Sequence, residues 1–449
     1  MIITKDKIFY KSLILLAIPI ALQNLITFSV TLADSIMIGQ LGDNAISGVY
    51  MGSQIQTLLQ VFTAGIEGAM LILSTQYWGK NDTDSIKKIT SIGLKFALIF
   101  SVITALVCAF APSFVISLFT NDYNIIEAGA AYLRIISFSF PLFAVTQSLI
   151  ASMRSVESAK IGMAVSIASL VTNVSLNYVL IFGKLGFSAL GIRGAAVATV
   201  IARILELLVI LIYVLFIDKR LKFRIRDSLT LDKALLKDFV KYGLPVMAGQ
   251  LVWAVNTLSS SAIMGRQTAE GVVTALSLAN TLNSLAYVVM NGMAGAIGII
   301  IGKTIGEGKM EKIKEYSYTT ELLFICIGLL TGGMIQLIKN PFISLYKISV
   351  STIAVAKTLI NVLSITIIGT SYQAACLFGL VKSGGDVSFV FKNDCIFVFL
   401  VVIPSAIIAT ALAAPPWVVF LCLKSDQMLK CLVAAVKINR FDWMKKLTR

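Results

Sequence analysis

One carboxylate stands out against its surroundings: Asp34, near the far end of an almost uninterrupted apolar run from Ser12 to Gly42. About 20 apolar residues suffice to cross a bilayer, and a charge in hydrocarbon costs on the order of 3 kcal/mol by insertion scales. Such an acid normally faces a protein interior or a water cavity and marks an ion or proton pathway. Further along, SLVTNVSLNYVLIF carries Asn173 and Asn177, four apart and so stacked on one helix face, and GAAVATVIAR carries Thr199. Counting about 1.5 Å per residue from the ends of the apolar runs places all four groups at a similar depth below the outer surface. A carboxylate with amide oxygens and a hydroxyl is hard-oxygen chemistry, suited to Na+ or, with Asp34 desolvated, to a proton. For Asn173, Asn177 and Thr199 the competing reading is interhelical hydrogen bonding without further function. Pro19, in the same run as Asp34, removes a backbone hydrogen bond and lets the helix bend, so acid and hinge share one element.

The remaining polar residues carry less. No histidine occurs, which removes His-dependent acid–base chemistry and the common zinc sites. Cys108, Cys326, Cys376, Cys395, Cys422 and Cys431 sit singly in apolar context, without metal-ligand spacing, and read as small buried hydrophobes. Arg203 and Glu206, three apart, can pair with each other. Glu321, close to the end of its span, reads as solvated. Glu67, in the small-residue stretch TAGIEGA, reads equally as cavity-lining or structural. The second half offers a candidate ligand-contacting lining: Gln250, Trp253 and Asn256; then Asn280, Asn283, Tyr287 and Asn291, spaced along one helix face; then Tyr372 and Gln373. Bundle packing explains such a stripe nearly as well.

The elements that must position these residues are membrane helices. The chain of 449 residues is 57% hydrophobic and 14% charged, with a mean hydropathy of +0.88, outside any soluble globular class. By the criterion of about 20 residues there are about twelve spans: 12–38, 46–77, 88–117, 127–150, 161–183 and 194–217, then 242–265, 271–302, 313–338, 350–380, 389–411 and 416–436. The first run is too long for a signal-peptide core, so no cleaved leader is expected. The net charge of +15 does not indicate nucleic acid. Its lysines and arginines cluster in alternate loops: Lys5, Lys7 and Lys11; Lys80, Lys87 and Lys88; Arg154 and Lys160; Lys219 to Arg226; Lys303 to Lys314; Lys382 and Lys392; and the tail to Arg449. The opposite loops carry chiefly Lys184, Arg193, Arg266, Lys339 and Lys347. This positive-inside pattern places both termini in the cytoplasm, with anionic membrane lipid as partner of the charge.

A basic break from Asp218 to Lys241 falls at mid-chain, and the sequence repeats across it. KSLILLAIPIALQNLITFSVTLADSIMIG (11–39) aligns with KDFVKYGLPVMAGQLVWAVNTLSSSAIMG (237–265), pairing Pro19 with Pro245 and Gly39 with Gly265. AGIEGA (64–69) aligns with NGMAGA (291–296), and Gly79 with Gly306. Six spans per half make the copies parallel repeats, and rocking one bundle against the other would open a cleft to alternate sides. The expected organisation is an all-α polytopic protein with a six-helix lobe at 1–217, a cytoplasmic connector at 218–241, and a second six-helix lobe with a basic tail at 242–449. At the position of Asp34 the second half has Ser260.

The Pro19-to-Gly42 pattern, STQYWGK at 74–80, MRSVESAK at 153–160 with its cognate VKSGGD at 381–386, and GAAVATVIAR at 194–203 resemble, in that order and across essentially the whole chain, the multidrug and toxic compound extrusion (MATE) family of antiporters. The resemblance implies twelve helices in two lobes forming a V-shaped cleft, and export of cationic, amphipathic compounds in exchange for H+ or Na+. It matches the family's first-helix acid to Asp34, its fifth-helix polar pair to Asn173 and Asn177, its sixth-helix threonine to Thr199, and its bending proline to Pro19. Two departures bear on coupling. The helix 7 acid of some members is Trp253 here and their helix 10 acid has no counterpart, while Asn177 stands where some proton-coupled members have Asp. The coupling ion is therefore left open between Na+ and H+. No cofactor is implied, and the expected state is a monomer in the cell membrane. The alternatives are a lipid-linked oligosaccharide flippase of the same wider superfamily, disfavoured by the few and partly paired intramembrane basic residues, and a membrane-embedded transferase. The lack of His, clustered acids and a sizeable extramembrane domain speaks against any enzyme.

Overall fold

A computed structural model describes residues 3–41, 43–267, 270–346 and 348–448, with side chains omitted at 43–45. Gly42, Lys347 and Arg449, used in the sequence reading, lie outside the described residues. The first half comprises α1 (Lys7–Gly39), α2 (Asp43–Gly79), α3 (Thr83–Phe110), α4 (Pro112–Ser117), α5 (Tyr123–Ile136), α6 (Ser139–Ser155), α7 (Lys160–Phe182) and α8 (Ile192–Ile212). The second comprises α9 (Lys233–Gly265), α10 (Val272–Gly306), α11 (Met310–Ser344), α12 (Val350–Gln373), α13 (Val387–Ile396), α14 (Ile403–Ala411), α15 (Pro416–Leu423) and α16 (Ser425–Arg440). Helix α12 runs on as a π-helical stretch, Ala374–Lys382, and a second π stretch, Phe397–Val402, joins α13 to α14.

Among the described residues nine helices are long and apolar enough to cross a membrane, and the α5–α6 pair, bent by 50°, makes a tenth. Helix α9 and the α15–α16 pair, less apolar, bring the long helical segments among the described residues to twelve, and this is a multi-pass, all-helical protein. The outer faces explain why: Ile99, Ile103 and Phe110 of α3 and Leu330, Met334 and Leu337 of α11 are exposed, an apolar surface suited to lipid and not to water. Three spans differ from the sequence reading. Pro112 ends α3 early and starts α4; the expected span 127–150 is bent between Ile136 and Ser139; and the expected span 416–436 is interrupted at Lys424. All six cysteines are free.

The chain forms two compact units, Leu22–Gly243 and Met1–Ala21 with Leu244–Arg449. Residues 1–21, which the sequence reading places with the first lobe, pack with the second half. Each boundary falls inside a repeat-opening helix, within two residues of its proline, Pro19 in α1 and Pro245 in α9. The start of each helix is anchored in the same way. Asp6 accepts the Ile8 backbone N–H at 2.9 Å and the Tyr316 hydroxyl at 2.8 Å, and pairs with Lys312 at 3.1 Å. Asp232, its repeat equivalent, accepts the Ala234 N–H at 2.9 Å and pairs with Lys88 at 3.2 Å. Phe9 stacks on Tyr316 in one unit, Phe239 on Phe96 in the other. The connector is also folded: Leu221 and Phe223 are buried, and the Ser91 hydroxyl reaches the carbonyls of Ser228 and Thr230 at 2.7 and 2.6 Å.

At the C-terminus the chain turns back on the VKSGGD turn. Trp443 is fully buried against Gly384. The Lys445 N–H donates to the Gly384 carbonyl at 2.8 Å, and the Lys445 side chain pairs with Asp386 at 2.7 Å.

Candidate functional site

Helices α1, α7 and α8 build the polar cluster inside the unit Leu22–Gly243. A Cβ on Gly194 would lie 2.5 Å from the Leu180 carbonyl oxygen, so glycine there lets α8 approach the backbone of α7. Ala195 and Ala198 continue the small face, both buried. That approach brings Thr199 to Asn173. One turn further toward the loop ends, Ile38, Ile181 and Ala195 form an apolar cluster. These are the i+4, i+4 and i−4 neighbours of Asp34, Asn177 and Thr199, so a hydrophobic layer covers the polar one on that side.

The four polar groups make one directional chain. The Asn177 amide donates to Asp34 Oδ1 at 2.5 Å and to Asn173 Oδ1 at 3.1 Å. The Asn173 amide donates to Thr199 Oγ1 at 3.2 Å, and the Thr199 hydroxyl donates to the Ala195 carbonyl at 3.0 Å. Two oxygen acceptors in front of Asn177 fix its amide with nitrogen toward them. Its own oxygen, Asn177 Oδ1, is buried with no partner. Asn173 and Asn177 are essentially inaccessible, whereas Asp34 is half-buried. A cluster of this kind, with one carboxylate and one unclaimed buried amide oxygen, fits a proton or a monovalent cation. Among the described residues no group of three or more Cys, Asp or Glu is set for a transition metal.

Asp34 has a basic neighbour. Arg203 lies within electrostatic range of Asp34, as does the phenol of Tyr132. Arg203 is the i+4 neighbour of Thr199 on α8. Its direct partner is Glu206, met through both carboxylate oxygens at 2.8 Å, and its guanidinium lies 4.8 Å from the Phe143 ring centre. Glu67 on α2 interacts electrostatically with Arg154 of α6, whose guanidinium donates to Gln23 Oε1 at 2.7 Å. Arg154, counted as a loop charge, is thus a half-buried helical residue. Pro19 is buried within α1.

In the other unit the lining residues divide. Trp253, Asn280 and Asn291 are exposed, and Gln250, Asn256, Asn283 and Tyr287 are half-buried. Asn256 and Asn283 each bury a side-chain oxygen without a partner. Tyr372 and Gln373 are engaged instead in helix packing: the Tyr372 hydroxyl meets Glu321 Oε2 at 3.2 Å, and Gln373 donates to the Asp426 carbonyl at 2.8 Å. Glu321 is 5% exposed, which corrects the reading of a solvated side chain. Phe324, Gly328 and Gly332 share its face of α11, and both glycines lie close against α12.

The model of the MatE family matches residues 19–179 and 245–408. The chain is 26% identical to "Probable multidrug resistance protein NorM" of Photorhabdus laumondii over 91% of its length and 88% of that protein. It is 24% identical to "Probable multidrug resistance protein YoeA" of Bacillus subtilis over 79% of its length and 77% of that protein. In fold it is similar to a MOP superfamily transporter from Pyrococcus furiosus, with a TM-score of 0.86 at 19% identity and 98% of each chain covered. It is also similar to a multidrug resistance MATE family transporter solved in an outward-facing conformation, with a TM-score of 0.83 at 18% identity, over 98% of this chain and 99% of that one.

Proposed function

Because the chain belongs to the MatE family of membrane transporters, and is no enzyme, we propose that it is a secondary multidrug exporter. It exchanges cationic, amphipathic compounds for Na+ or H+ by alternating access, with the ion bound at Asp34. The observation that carries this reading is the chain from Thr199 through Asn173 and Asn177 to Asp34, with the Asn177 oxygen left over. A proton can add to the free oxygen of Asp34 without disturbing the Asn177 bond. A Na+ shared between Asp34 and Asn177 needs the amide to turn its oxygen toward the ion. Either event removes negative charge from α1, the helix that also holds Pro19. An ion and a substrate exchange only if each favours a different conformation, and a bend in α1 is the candidate for that difference.

On the substrate side, Trp253 offers an exposed aromatic face for an organic cation, and Asn256 and Asn283 offer buried oxygens still without partners. The engagement of Arg203 with Glu206 and of Arg154 with Gln23 supports a cation exporter over a flippase for pyrophosphate-linked lipids, which needs free basic side chains. The protein sits in the cell membrane as a monomer with both termini cytoplasmic. The test is efflux of a fluorescent organic cation from proteoliposomes under a Na+ gradient or a pH gradient, for wild type and Asp34→Asn. We expect one gradient to drive export in wild type and neither to do so in the variant. Export driven by neither gradient in wild type would overturn the reading.

A further inference from the structure

We propose that Glu321 is a second proton-binding site, in the unit formed by Met1–Ala21 and Leu244–Arg449, that exchanges its proton with each transport cycle; the proposal rests on the antiporter reading above. Glu321 stands roughly 10 Å along α11 from Lys314, counted at about 1.5 Å per residue. It belongs to the helix face that α11 presses on α12. Gly328 and Gly332 open that contact: a Cβ on Gly328 would lie 2.9 Å from Ile368 Cα. The Ser371 hydroxyl ties the pair together by donating to the Phe324 carbonyl at 2.7 Å. Phe324 and Ser371 are fully buried, so the carboxyl is held in a dry seam.

Within this seam Glu321 is under-supplied with partners. Oε2 accepts the Tyr372 hydroxyl at 3.2 Å, and Oε1 is buried with no partner at all. No Lys or Arg pairs with it among the described residues. The titratable groups facing it are Tyr372 on α12 and Cys376 in the π stretch that follows, with Cys431 of α16 beyond Cys376. None of these supplies positive charge. A buried carboxylate without a cation or a full set of donors takes up a proton instead of remaining charged. One carboxyl and one phenol offer too few oxygens for a desolvated Na+, so the ligand is H+.

The same place has a means of change. The π stretch Ala374–Lys382 begins immediately after Tyr372 and Gln373, and π turns within α-helices concentrate at functional sites. A return of this stretch to α geometry would turn Cys376 and the residues after it relative to Tyr372. That movement would admit water or a donor to Oε1 and release the proton.

The test is infrared difference spectroscopy on the purified full-length protein, for wild type, Asp34→Asn, Glu321→Gln and Tyr372→Phe. Spectra are taken between acid and alkaline pH and again on addition of ethidium as an organic monocation. We expect a protonated-carboxyl C=O band that bleaches on ethidium binding, disappears in Glu321→Gln, persists in Asp34→Asn, and shifts in Tyr372→Phe as the phenol bond is lost. Ethidium-induced spectra of Glu321→Gln identical to those of wild type overturn the proposal, as does a Glu321 band that responds to pH and not to ethidium. Should Glu321→Gln fail to fold, an unshifted band in Tyr372→Phe overturns it independently. Failure of the antiporter reading shows separately, as loss of gradient-driven efflux in wild type.

Discussion

The bond between Asn177 and Asp34 gives a quantity that reports directly on the charge of Asp34. Asn177 is fully buried, and its amide serves two acceptors, Asp34 Oδ1 and Asn173 Oδ1. Hydrogen bonds to charged groups contribute about 1.5–3 kcal/mol, neutral ones about 0.5–1.5, and neutral interhelical bonds in membrane proteins average about 0.6. Asn177→Ala therefore costs about 2–4 kcal/mol with Asp34 ionised. A double-mutant cycle with Asp34→Ala isolates the Asp34 share, for which we expect about 1.5–3 kcal/mol at high pH. The bond to a carboxylate weakens once the carboxyl is protonated, so the coupling falls toward about 0.6 kcal/mol as pH is lowered. Added Na+ at fixed high pH lowers the coupling in the same way only where Na+ turns the amide. The assay is reversible unfolding in mixed micelles across a pH series, with and without Na+. A coupling energy that stays below about 0.5 kcal/mol, or that ignores both pH and Na+, would refute the view that this chain holds an ionised Asp34 ready for a cation.

Two further outcomes concern the anchors. The Tyr316 hydroxyl, chiefly, with help from Lys312 and the Ile8 N–H, holds the Asp6 carboxyl below the usual carboxylate range; for Asp232 the Leu235 N–H leads, followed by Lys88. A depressed carboxyl stabilises the fold fully above its unfolded value of ~4 and loses that contribution as pH falls through the lower folded value. Asp6→Asn should therefore lower the Tm at neutral pH, with the gap to wild type closing below about pH 4; a gap that widens in acid would contradict the anchor. Gly384→Ala places a methyl group on the Trp443 ring, so the tail should lift. Trp443 emission should shift to the red and limited trypsin should remove the tail faster, and unchanged emission would mean that the tail accommodates the methyl in place.

The proximity of Asp34, Asn173, Asn177 and Thr199 was legible because it depends on two one-dimensional rules: four-residue stacking on a helix and a fixed rise per residue. Apolar run length marks the nine spanning helices and the bent α5–α6 pair for the same reason. Features set by how helices approach one another were not legible. Glu321 looks solvated when counted from the end of its span, and only the contact at Gly328 and Gly332 shows that α12 covers it. Arg203 was read as the partner of Glu206, which it is, but its reach to Asp34 depends on α1 crossing α8. Counting run length passes over the residues that mark the other two breaks, Pro112 itself and the polar stretch KSDQ at 424–427. The packing of residues 1–21 with the second half has no sequence signal, because its determinants, Tyr316 and Lys312, lie some three hundred residues away.

The repeat separates what the fold requires from what the chemistry requires. Asp6 and Asp232 correspond and make the same kind of cap, a carboxylate bridging the start of a repeat-opening helix to a lysine. Pro19 and Pro245 correspond as well, and so do the unit boundaries beside them. The anchor-and-proline device is thus common to both halves, as expected of parts that hold and bend the bundle. The acids are not. Asp34 aligns with Ser260, and the register that pairs Gly79 with Gly306 sets Glu321 against Leu94. The two proposed sites of charge change therefore sit on different helices in the two halves: α1 in one, where a hydrogen-bonded chain ends on the acid, and α11 in the other, where the acid is left with a single phenol. Changes of charge at two non-equivalent places would favour different conformations of two otherwise similar bundles. Exchange requires that the change of charge at each site be worth more in one conformation of the transporter than in the other.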